Sequence, residues 1–567
     1  MPYVELQTDI TEDLLTTIQQ TRPEITAALL TDDGKYVHED AVYWIPSERV
    51  APDPAMFFLP KKNIDPLGNE TTLVYDAYNL LPVTVTDPLG YATTATYNYR
   101  VLQPNEITDP KGNKQAARYN ALGMISAQAV IGTEISTGVY EGDTLDNPTI
   151  AYDYNLNNYI DNGLPIYVHV KKRTQHKVDN FEESYVYSGG NGNMVMTKVQ
   201  AEPHPDTPAT PRWVGTGRTV FNNKGKVIKQ YEPYFSDTHA YETDNINGVS
   251  PIFYYDPLGR NIKTVHPDGS VERVAFNPWE QKMYDQNDTV LDPDNAWYTN
   301  ANNNADTAIA RAATLAAAHA DSPQVQYLDS LGRPFITEDD NKADGKYRVH
   351  QTLDIAGRPT IITDAKGRPM TTNLMGMQQV FKTTNIDSGT RHIVNDVAGK
   401  PIYTWDDRGH RLMHTYDELQ RPLKVMLTKD SSDYTLEEIE YGTEASKNNI
   451  GQVQYSYDQS GKTEIESYDF KGNPLKTIKQ FCEEYQNTIN WDAATSPVLK
   501  AETFIQEVTY DALNRPLTQT MPDNSIIEHT YNEAGLLETV KKDSQIYVSN
   551  INYNEKGQRT AIYYGNG

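Results

Sequence analysis

The chain has 567 residues, a formal net charge of -27 and a mean hydropathy of -0.65, which suits a large soluble protein and excludes a basic nucleic-acid binder. Counting Gly in place of Tyr among the apolar residues leaves roughly 37%, below the ~45–50% usual for globular domains, so a thick conventional core is not expected. Low hydrophobicity with high net charge also describes disorder. Against disorder stand 39 Tyr to 12 Phe: a Tyr ring packs on one side of a sheet while its hydroxyl reaches water or backbone, so ordered β-structure is expected instead.

The start, Met1-Pro2-Tyr3-Val4-Glu5, has neither a basic nor an apolar leader region, and no run is long enough to span a bilayer. No signal peptide is seen, so synthesis in the cytoplasm is expected. The single cysteine, Cys482, rules out an intramolecular disulfide and a cysteine-based metal cluster.

Residues 1–60 form a lead-in segment with a short helix predicted over 11–20, where Asp9 and Glu12 have capping-box spacing. Residues 61–130 hold a fixed period: Asp65, Asp76, Asp87, Asn98, Asp109 and Asn120 stand 11 residues apart. The turns read Asp65-Pro66-Leu67-Gly68, Asp87-Pro88-Leu89-Gly90 and Asp109-Pro110-Lys111-Gly112. Asp can bond backbone N–H groups two residues on, Pro presets φ, and Gly supplies a positive φ. Between them lie strand-length runs such as Leu81-Pro82-Val83-Thr84-Val85-Thr86, so each spacing is about seven strand residues plus a turn, and two spacings make a hairpin.

Residues 131–322 keep β-like runs but lose the clean period, and residues 304–320, Ala-rich with Asp306 near the start and Pro323 beyond the end, predict a helix. Residues 323–567 return to the pattern, in Asp329-Ser330-Leu331-Gly332-Arg333-Pro334, Asp354-Ile355-Ala356-Gly357-Arg358-Pro359 and later copies at 416–422, 468–474, 510–516 and 553–559. The predicted fold is mainly β, a long antiparallel hairpin meander with one or two short helices.

These repeats resemble the YD (Rhs) repeat, which centres on Tyr-Asp-x-x-Gly-Arg followed by Pro or Leu. Residues 211–217, 221–226, 230–236, 276–280, 288–292 and 395–401 are further similar to stretches of the B component of bacterial insecticidal toxin complexes, or Tc toxins. That resemblance implies a sheet spiralling into part of a hollow shell around a cytotoxic segment. It also implies partners, namely other toxin-complex subunits or further parts of the same polypeptide, and a secreted destination. No propeller region, aspartate self-cleavage motif or variable toxin domain is found, so the chain reads as a fragment with an unpaired sheet edge that aggregates or is marginally soluble alone. The alternative function is a surface adhesion or glycan-binding repeat protein.

No catalytic, cofactor or metal site is assigned. The family's self-cleavage uses aspartates, but the Asp residues here recur at turn spacing, which needs no catalysis. His410 and His414 have i, i+4 spacing, but Gly409 and Tyr416-Asp417 predict a strand, and Arg411 stands where a zinc-protease motif needs Glu. Asp153-Tyr154-Asn155-Leu156-Asn157 opens like a calcium loop, yet Asn158 replaces the required Gly and Leu164 the bidentate Glu. Ser188 lacks a nucleophile elbow, and Gly190-Asn191-Gly192 lacks the third Gly of a dinucleotide fingerprint.

Overall fold

The computed structural model describes residues 5–204, 210–216, 218–244, 248, 250–492 and 497–566; of the features above, Met1 to Val4, Gly217 and Gly567 lie outside them. One repeat, residues 255–260, shows how the sequence builds the ribbon. Asp256 Oδ1 accepts the N–H groups of Leu258 and Arg260, both at 2.9 Å, and Arg260 Nε returns to Asp256 Oδ2 at 2.7 Å. Gly259 takes φ +81°, a left-handed conformation that only Gly adopts without strain, and its N–H closes on the Asp256 carbonyl at 2.9 Å. A register shift at Tyr255 marks the bulge that follows such a turn.

The Tyr of the repeat has its own task. Tyr97, Tyr119, Tyr416 and Tyr531 each donate from the hydroxyl to the carbonyl of a Pro 15 residues back (Pro82, Pro104, Pro401 and Pro516), at 2.7–2.9 Å. Each Tyr thereby ties its turn to the start of the strand just before its own. Burial raises these phenols above their ordinary range, so they stay neutral donors. Tyr531→Phe is expected to cost about 1 kcal/mol, read by urea denaturation, because a half-buried carbonyl loses its donor; an unchanged midpoint would remove the hydroxyl ladder from the stabilising terms.

Repeated along the chain, these hairpins give a 14-stranded and a 26-stranded antiparallel sheet whose strands follow one another in nearly unbroken sequence order. Alternate turns lie on opposite rims of the ribbon. We term lower the rim holding the turns at 76–80, 98–102, 256–260, 354–358, 396–400, 469–473 and 511–515, and upper the opposite one. Residues 150–201 lose the 11-residue period because strands there lengthen: Ile166–Arg173, Phe181–Ser188 and Met194–Ala201 have eight residues each.

Four α-helices occur among the described residues, more than the one or two expected: α1 (Glu12–Gln19), α2 (Asn158–Asn162), α3 (Ala296–Asn302) and α4 (Thr307–Ala317). Helix α4 lies within the predicted 304–320, and Asp306 caps it by accepting the Ala308 N–H at 2.8 Å. The capping box of α1 is corrected: Thr11, not Asp9, accepts the Leu14 N–H, and Asp9 is buried elsewhere. The largest apolar core is local. Ile10, Leu15, Ile18 and Leu30 of the lead-in pack against Phe381, Val394 and Trp405 of the large sheet.

Candidate functional site

The ribbon closes on itself along a seam. Asn113 bonds Asn448, 335 residues on; Glu182 pairs Arg515, 333 on; and Glu202 accepts from Asn532, 330 on. Contacts at so nearly constant a separation mean that one coil takes about 330 residues, with the lower rim of the second coil seated on the upper rim of the first.

The seam has a charge code. On the upper rim Glu182 and Glu232 present carboxylates; on the lower rim Arg515 and Lys556 meet them, each at 2.6 Å. Arg515 serves twice, because its Nε also holds Asp511 of its own turn at 2.6 Å. Apolar contacts fill between: Val397, 5% exposed, donates its N–H to Gly34 at 3.0 Å, and Ala512, 7% exposed, donates to Thr174 at 3.0 Å. Phe470 lies over Gly132 and Gly142, where an added Cβ would come within 3.0 Å of the ring.

At the centre of the seam lies a buried ionised group. Asp143 accepts from His176 Nδ1 at 2.7 Å, Thr149 Oγ1 at 2.8 Å and the Lys177 N–H at 2.8 Å, with Arg173 Nε at 3.5 Å. Burial pushes this carboxyl up, but the hydrogen bonds from His176, Lys177 and Thr149 outweigh it and hold it below the usual range. The His176 ring faces Phe470 of the second coil at 5.2 Å. Lys471, whose ammonium is pushed down by burial, donates to the Asp511 carbonyl at 2.7 Å.

The lead-in docks by the same logic. Asp9 accepts from the Gln378 N–H at 2.8 Å and Gln379 Nε2 at 2.6 Å, and Thr21 Oγ1 meets His392 Nε2 at 3.1 Å. His392 is buried, and burial with the charges of Arg22 and Lys382 lowers its pKa to about 4.

The residues weighed from sequence are not assembled into a reactive centre. His410 sits in a turn against Asp406, while His414 lies in strand Arg411–Tyr416 opposite Val425. Asp153 lies in strand Ile150–Asn155 opposite His169, and Asn158 opens α2. Ser188 ends a strand, and Gly189 to Asn193 form a hairpin turn closed by the Gly192 N–H on the Gly189 carbonyl. A cavity of about 640 Å³ gathers Asp288, His319 and Ser322, but Ser322 Oγ bonds Asp288 and the His319 carbonyl rather than its ring, so no base is aimed at the hydroxyl. Among the described residues no group of three or more His, Cys, Asp or Glu is placed to hold a metal, and no helix is long and apolar enough to cross a membrane.

A ribbon of Tyr/Asp hairpins, coiled and stapled along a seam, is the architecture of a repeat shell, and known proteins share it. A crystal structure of TcdB2-TccC3 superposes with a TM-score of 0.85 at 21% identity, covering 99% of this chain and 30% of that one. A structure of the Photorhabdus luminescens Tc holotoxin pore gives 0.85 at 20%, covering 99% and 32%. In sequence, toxin subunit YenC1 of Yersinia entomophaga is 27% identical over 207 residues, 33% of this chain and 21% of the relative. No family model matches. The likeness to Tc toxins therefore holds in fold and in sequence, and the chain spans under a third of each of these relatives' length.

Proposed function

We propose that this chain is a wall segment of a toxin-encapsulating shell of the Tc type, acting by containment rather than by chemistry. The seam is the observation that carries it: a ribbon whose rims meet after one coil encloses a space. About 25 strands per coil, at ~4.8 Å each, give a perimeter of roughly 120 Å and a ring ~40 Å across, leaving an interior of roughly 30 Å once the sheet's own thickness is removed. Its partners are other toxin-complex subunits or further parts of the same polypeptide, its guest is a cytotoxic segment, and it is secreted as part of that complex.

Limited proteolysis of the assembled complex tests this. The guest segment is expected to survive protease until the shell is denatured; a guest cut as fast as when free would overturn containment. Tyr side chains exposed on the lower rim, such as Tyr78 and Tyr159, also suit the adhesion reading. Saturable binding on a glycan array, lost when those two are replaced by Ala, would favour it.

A further inference from the structure

No further inference is drawn: the strongest candidate, the side-chain cluster in which His169 and the exposed His239 stack on Tyr185 beside the buried Lys198, rests as an acid-released latch only on the lowered pKa of His239, since Glu183 already pairs His169 and Glu242 pairs Lys198.

Discussion

Asp143→Ala is expected to destabilise the chain by about 3–5 kcal/mol, because it strips the partner from a buried charge. The Arg173 side chain is 2% exposed and Asp143's is 0% exposed. With the carboxylate gone, Arg173 keeps the Pro148 and Val178 carbonyls and an exposed Asp179, but the His176 Nδ1, Thr149 hydroxyl and Lys177 N–H lose their shared acceptor. Both coils feel the loss, since His176 lies against Phe470. Asp143→Asn keeps an acceptor and is expected to cost less. Urea denaturation at neutral pH decides the point, and a change under about 1 kcal/mol for the Ala variant would contradict the buried pairing.

Acid is expected to loosen the lead-in through His392. The folded protein holds this imidazole near pKa 4, below the ordinary 6.5, so the folded state favours the neutral ring. Above pH 6.5 neither state is protonated and the full stability is present; as pH falls from about 6.5 toward 4 the unfolded or undocked state takes up a proton that the docked state refuses. At 1.36 kcal/mol per unit this removes about 3 kcal/mol, and no more is lost below pH 4. His392→Gln, which keeps a polar group opposite Thr21 and cannot titrate, is expected to flatten that part of the stability profile between pH 6.5 and 4. Hydrogen exchange of α1 against pH would locate the effect, and equal pH dependence in both proteins would refute it.

Local chemistry made the turns readable. Asp256 to Arg260 depends on contacts no more than four residues apart, so the sequence pattern and the structure coincide there. The Tyr-to-Pro bonds span 15 residues, longer than the period but fixed by it, and the preference for Tyr over Phe was their trace in the sequence. Asp9 was misread because capping is decided within one turn, where Thr11 competes; its real partners, Gln378 and Gln379, are 369 and 370 residues away. Helix α3 went unseen because Trp297, Tyr298 and the Asn residues around 300 carry little helix propensity, and the Asn295 cap alone does not announce it. The seam was invisible for a related reason: no local signal encodes a coil of about 330 residues. The pairing of Glu182 with Arg515 has a trace only in hindsight, as an Arg placed four residues after the turn Asp in some of the repeats, Asp511 among them.

An electron cryo-microscopy map of the assembled complex tests containment through the seam most directly. The expected map shows this ribbon coiled around a cavity, with Glu182 on Arg515 and Asn113 on Asn448 across adjoining coils and additional density inside. A ribbon opened flat, with its two rims apart and nothing enclosed, would contradict it.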